Sequence, residues 1–327
     1  MTGRRQALVL LALAALWALV LLLGPAVGGH EVDLGKLLGG DDTASTIVWH
    51  LRLPRLLLGL AAGGALAVSG VAFQTLFRNP LAEPYTLGLA SGAALGAVVV
   101  QHLGLSGGLA GFSATSVASF AGAAAAGMLI LGLARGRHGF ETGTLLLAGI
   151  AVSLSCSALI LFLQYLADFT RTFRMVRWMM GGLAVVGYRE VLWVAPWVVA
   201  GSLALFFLRR DLDQLLTGDE LAASRGVDLG RLRLTVLAVV AGMVGALVAV
   251  TGPIGFVGLV VPHILRRWVG PTHLVLLPAS FLGGGVFLAL CDLAARRVLP
   301  PAELPVGVLT ALLGGPFFLW LLVVRRR

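Results

Sequence analysis

Few residues in this sequence are of a type and spacing that could make or break bonds, and those that come nearest fail on spacing. The only His-Glu pair, His30-Glu31, has no second histidine four residues on, so the two-histidine helix of a zinc hydrolase is absent. Gly88-Leu-Ala-Ser-Gly92 resembles a nucleophile turn, but its serine is one position off the GxSxG spacing. A phosphate-cradling loop needs lysine followed by Ser or Thr. The only lysine, Lys36, is followed by Leu37, so any ATP that drives this protein is bound by another subunit. Cys156 and Cys291 each stand alone in an apolar segment, and the six histidines are scattered, so no metal ligand set and no cofactor are expected. His263, next to Pro262, reads as a buried histidine satisfied by a freed carbonyl. Glu83, Asp292 and Glu303 fall near segment ends, where helix capping accounts for them. No chain of carboxylates runs mid-segment as a proton relay requires.

What must position the remaining polar groups is a membrane scaffold. Hydrophobic residues make up 58% of the 327 positions and charged residues 12%. A spanning helix needs about 20 mostly apolar residues, and segments of this kind recur at 7–27, 53–77, 84–103, 108–134, 144–166, 185–208, 233–252, 254–269, 274–295 and 304–324. The fold class is therefore all-α, a polytopic membrane protein of about ten transmembrane helices forming one transmembrane domain over 1–327. The first segment exceeds the length of a signal-peptide core and is read as a span. A net charge of +9 could suggest nucleic acid. Most of the 24 Lys and Arg, however, lie in short loops or at segment ends, the pattern that orients membrane helices; no nucleic-acid partner is expected. Ten spans with both termini in the cytoplasm put Arg4, Arg5, Arg78, Arg135, Arg137, Arg209, Arg210, Arg225, Arg231, Arg233, Arg266, Arg267 and Arg325 to Arg327 inside. Arg171, Arg174 and Arg177 then cluster outside, as a solvated loop.

Glycine and proline mark where helices touch or break. Gly88, Gly92 and Gly96 form a double GxxxG and Gly59 and Gly63 another, the spacing of close helix contacts. Pro80, Pro84, Pro253 and Pro262 read as helix breaks, used in multi-span proteins where backbone lines a path. Gly64 to Gly70 (GALAVSG) and Gly245 to Gly252 (GALVAVTG) suggest a faint inverted repeat near the ends of two spans.

Asp211 to Arg233 is the longest polar stretch on the cytoplasmic side. Thr217-Gly-Asp-Glu220 reads as a capping box, with Asp219 and Glu220 suiting the helix dipole. The helix continues through Leu221, Ala222 and Arg225 and stops at Gly226, a left-handed cap. Helices of two turns are marginal alone in water, so this one is expected to lean on its own protein or on a partner.

Five segments together resemble the permease subunits of the iron-siderophore, haem and vitamin B12 ABC importers, the FecCD family of type II importers: RLPR at 52–55, QTLFRNPLAEP at 74–84, WMMGG at 178–182, GPIGFVGLVVPHILRR at 252–267 and ELPVGVLTALLGG at 303–315. Their order and spacing match over essentially the whole chain. The resemblance implies a homodimer in the bacterial cytoplasmic membrane with the path at its two-fold interface. It also implies a separate ATPase dimer that binds ATP and Mg, and an extracytoplasmic binding protein.

Carried over by position, Leu215 to Val227 would be the coupling helix. Leu215, Leu216 and Leu221 would be apolar anchors, Asp219, Glu220 and Arg225 a polar rim, with Thr217, Gly218, Ala222 and Gly226 shaping the turn. Arg52, Arg55 and Arg296 would receive glutamates of the binding protein, chemistry that suits bidentate guanidinium; Arg297 is an equal candidate for the third place. Thr272-His273 stands where many relatives carry an acidic residue. The function expected is import of an iron-siderophore or related iron chelate, with haem included, by alternating access without covalent chemistry; cobalamin is the alternative. An ion-coupled carrier would need mid-span ionisable residues.

Overall fold

The computed structural model describes residues 3–27, 42–85, 87–105, 107–109, 112–136, 139–140, 142–299 and 302–324; His30-Glu31, Lys36, Arg137 and Arg325 to Arg327 lie outside them. The chain begins with α1 (Gly3–Leu23), a 3-10 turn (Gly24–Ala26) and α2 (Asp42–Thr46). A wide π turn over Ile47–Arg52 leads directly into α3 (Leu53–Leu76). Next come α4 (Leu89–Leu103), α5 (Ala114–Ala134), α6 (Thr142–Leu166), α7 (Phe169–Met179) and α8 (Arg189–Phe207). The short helices α9 (Arg209–Leu215) and α10 (Asp219–Ser224) precede α11 (Leu229–Thr251), α12 (Val257–Val269), α13 (His273–Ala295) and α14 (Val306–Val324). Two-residue antiparallel pairs, Gly108–Leu109 with Phe112–Ser113 and Arg135–Gly136 with Gly139–Phe140, flank α5.

Ten of these helices stand where the apolar segments predict spans, with ends displaced by a few residues. Among the described residues, seven segments have the length and apolarity to cross a membrane. Leu89–Leu103 and Val306–Trp320 are shorter apolar helices, and α12 has 13 residues. Large apolar side chains face outward along these helices, including Leu11, Leu147, Leu161 and Phe207, as expected where the neighbour is lipid.

Two compact units emerge: Met1–Val68 with Gly181–Val198 and Ile254–Arg327, and Ser69–Met180 with Val199–Pro253. In the first, α1 packs through Trp17 and Val20 onto Leu56, Leu60, Val286 and Ala289, and Gln6 donates to the Val269 carbonyl at 2.7 Å. Gly63 and Gly284 bring α3 and α13 backbone to backbone; an added Cβ at either would collide with the other's carbonyl. In the second, Gly92 and Gly122 do the same for α4 and α5, and a Cβ at Gly96 would strike the Ala118 carbonyl. Apolar burial drives little of such association in lipid, so close van der Waals contact has to serve instead. Gly88, the first of the predicted glycine run, lies just outside α4 and abuts Gly149 of α6.

Three expectations are corrected. The Arg171 to Arg177 cluster is not a loop: it lies on α7, whose Asp168 accepts from the Arg171 N–H at 2.8 Å. Met175 of α7 is buried with Ala94, Val98 and Ile160. Pro262 breaks nothing, because α12 continues through it from Val257 to Val269; the break lies upstream, at Gly252 to Phe256, and Pro80, Pro84 and Pro253 are in non-helical backbone. Of the two similar strings, 245–252 ends α11 whereas 64–70 lies well inside α3, so they occupy unlike places in their helices.

Candidate functional site

Two clusters among the described residues are built alike, each an aspartate between two arginines. The first surrounds Asp292. Pro54 has no N–H for the carbonyl of His50 four residues back; Gly187 donates to that carbonyl instead, at 2.8 Å. The π turn, closed by Leu53 N–H to the Val48 carbonyl, carries Arg52 into a buried position. There its Nη1 donates to the carbonyls of Pro25 and Ala26 at 3.2 and 3.3 Å.

One turn on, Arg55 forks onto Asp292, Nη2 to Oδ1 at 2.8 Å and Nε to Oδ2 at 3.0 Å. Its Nη1 reaches Glu303 at 2.7 Å. Arg296 Nη2 pairs with the other side of Asp292. Asp292 lies in the last turn of α13, where the helix dipole disfavours an anion, and its side chain is 3% exposed. Two guanidiniums offset both penalties. Burial pushes the Arg296 guanidinium down from its ordinary value; Asp292 opposes this and Arg55 adds to it. Arginine nonetheless stays cationic at neutral pH.

Asp292 and Glu303 are thus ion-pair partners and not helix caps. Arg52 and Arg296 are buried, unlike the rim arginines expected for docking, while Arg297 is exposed. Two of the segments singled out in the sequence also meet here, since Gly307 N–H donates to the Gly181 carbonyl.

The second cluster surrounds Asp219, the first residue of α10. Arg233 Nη2 donates to Asp219 Oδ2 at 2.7 Å, and Arg78 Nη2 lies 3.0 Å from Asp219 Oδ1 as an ion pair without hydrogen-bond geometry. The capping box is not formed: Thr217 Oγ1 donates back to the Gln214 carbonyl at 2.7 Å, and Gly218 caps α10 without a side chain. The C-terminal end is as the sequence indicates. Gly226, at φ +88°, gives its N–H to Ala223 and Val227 gives its own to Ala222, the paired bonds of a Schellman cap.

On this loop Leu215 and Ala222 are fully buried, so Leu215 serves the interior and is no surface anchor. Leu216 at 42% and Leu221 at 53% are exposed, as are Glu220 and Arg225. Asp219 turns toward its own chain. Sequence reasoning missed Asp292, Arg78 and Arg233 as ion-pair members. For Asp292 a signal existed: a carboxylate in an apolar span demands a partner, and Arg296 is four residues on.

The described residues hold no group of three His, Cys, Asp or Glu poised for a metal ion. Neither cluster contains a nucleophile beside a base; both offer charge pairing and mechanical linkage.

Residues 10–324 match the FecCD transport family. The chain is 40% identical to the hemin transport system permease protein HmuU of Yersinia pestis, covering 100% of this chain and 98% of that one. It is 40% identical to the vitamin B12 import system permease protein BtuC of Shigella boydii, over 97% and 95% of the two chains. With the cobalamin import system permease protein BtuC of Halobacterium salinarum the identity is 42%, over 87% and 75%. A solved inward-facing conformation of a metal-chelate type ABC transporter superposes with a TM-score of 0.85 at 30% identity, over 97% of this chain and 99% of the other. With ten helices at the expected places and a full-length match, the chain belongs to the FecCD transport family and is a multi-span membrane permease of the ABC importers.

Proposed function

We propose that this permease moves an iron chelate, haem or a ferric siderophore, into the cytoplasm. The observation that carries the reading is the match to a hemin permease over the full length of both chains. Cobalamin is the second reading, favoured by equal identity to BtuC. The permease works as a homodimer in the bacterial cytoplasmic membrane with both termini inside, alternating access along the two-fold axis. A partner ATPase holds ATP and Mg, and this chain contributes no cofactor. The ATPase seats on α10 and the turn before it through exposed Leu221 and Leu216, with Glu220 and Arg225 at the edge. A carboxylate of the binding protein docks at Arg55, whose Nη1 pairs with half-exposed Glu303, while buried Arg52 and Arg296 hold the site in shape.

The test is uptake into proteoliposomes containing the permease and its ATPase, offered binding protein with labelled haem, ferric siderophore or cobalamin in turn. ATP-dependent accumulation of an iron chelate supports the reading. Accumulation of cobalamin alone transfers it to the second substrate, and accumulation without ATP overturns it.

A further inference from the structure

Among the described residues only Arg78 and Phe256 hold a left-handed backbone without being glycine. Phe256 has an evident reason, since it caps the start of α12 and its ring lies against Gly314. Arg78, at φ +45°, lies two residues past the end of α3. Its N–H donates to the Thr75 carbonyl and the N–H of Asn79 to that of Gln74, both at 3.1 Å. These are the paired bonds of a helix C-terminal cap, with Arg78 at the position where glycine avoids the clash of a Cβ. A residue that keeps a strained backbone points to a use for its side chain. That side chain reaches Asp219.

Asp219 is therefore a single carboxylate tied to three elements: the capped end of α3 through Arg78, the start of α10 on which it sits, and α11 through Arg233. The Arg233 side chain is 8% exposed and so a fixed anchor, whereas Asp219 at 33% and Arg78 at 45% lie at the surface. The turn after Arg78 is also braced, since the Asn79 carboxamide oxygen accepts from Leu81 N–H at 3.0 Å and Ala82 N–H donates to the Asn79 carbonyl at 3.1 Å. The turn that Arg78 leads into is thus held by its own hydrogen bonds, with the ion pair joining it to α10.

We propose that Asp219 is the strut that passes displacement of α10 to the turn following α3, with Arg78 and Arg233 as positioning residues for nucleotide-coupled transport. The inference rests on α10 being the ATPase contact. It predicts that Arg78 matters for the yield of transport per ATP and not for folding or for holding the ATPase.

Replacing Arg78 by glycine separates these roles, because glycine suits the left-handed backbone and should leave thermal stability equal or higher. In proteoliposomes, Arg78→Gly is expected to co-purify with the ATPase as the parent does and to import about fivefold less substrate per ATP hydrolysed, or worse, the lower end of typical coupling between sites. Arg78→Asn, which also tolerates the left-handed region, should behave the same way and serves if the glycine variant is poorly produced. Arg78→Lys keeps the charge and should retain more coupling than either. Parent-like import per ATP in Arg78→Gly or Arg78→Asn overturns the strut. Leu221→Asp, measured alongside, tests the underlying reading: it should lose ATPase co-purification. If Leu221→Asp keeps both the ATPase and import, the assignment of α10 fails. If it loses them while Arg78→Gly stays coupled, only the strut fails.

Discussion

Asp292 and Asp219 each sit between two arginines, yet the two clusters are built for opposite purposes. Around Asp292 the carboxylate is 3% exposed and its arginines 13% and 5%. Around Asp219 the carboxylate is 33% exposed, one arginine 45% and the other 8%. A buried pair has already lost its water and is held by what replaces it, so removing one member strands charge in a poor solvent. An exposed pair gives up little when it opens and can exchange partners cheaply. The same three side chains thus make a rigid buried joint in one place and, in the other, a surface link anchored on one side by buried Arg233. Glu303, at 49% exposure on the edge of the Asp292 cluster, shows that even the rigid joint keeps one exchangeable contact.

The sharpest way to break this comparison is to neutralise each aspartate. Asp292→Asn leaves buried Arg296 without its paired carboxylate and Arg55 with Glu303 alone, and should cost about 3–5 kcal/mol, read as a large drop in the thermal unfolding midpoint in detergent. If it unfolds no earlier than the parent, the cluster is not the rigid joint described. Gly226→Val places a β-branched residue at φ +88° and should cost about 1–2 kcal/mol locally. Hydrogen exchange confined to 219–227 would show the loss, and protection equal to the parent's would mean the cap is dispensable. Asp219→Asn should cost at most about 1 kcal/mol, with the difference shrinking in high salt as screening takes over. A cost matching that of Asp292→Asn would erase the distinction. Smallest of all, Glu303→Gln should change stability by about 0.5 kcal/mol or less while speeding binding-protein association at low salt, measured by surface kinetics. Unchanged association would remove Glu303 as a competitor for Arg55.

Much of the scaffold was legible because apolar length and glycine spacing are local signals. The ten spans follow from runs of Leu, Val and Ala, and a close helix contact on α4 from Gly92 and Gly96, though not which helix it meets. The cap at Gly226 is local too and reads correctly. What was not legible depends on distance along the chain. Arg55 and Asp292 are 237 residues apart, so nothing near Asp292 announces that partner, and a carboxylate at a segment end looks like a cap. The missing capping box has a different cause. Thr217 can serve either the helix ahead or the turn behind, and the carbonyl of Gln214 at the end of α9 wins. Without α9 in view that competition is invisible. Helix α7 escaped because its arginines hid an amphipathic pattern whose buried residue, Met175, is set by packing against α4 and α6.

The glycine seam between α4 and α5 has a consequence for how the chain is assembled. The two helices are separated by only the stretch from 104 to 113, and where Gly92 meets Gly122 no side chains need to find their rotamers. A contact between sequence neighbours closes early, because little loop entropy is lost in forming it. Helices α4 and α5 can therefore pair as a hairpin as soon as both are in the bilayer, before α11 has been synthesised, and later helices of this unit dock onto a template that already exists.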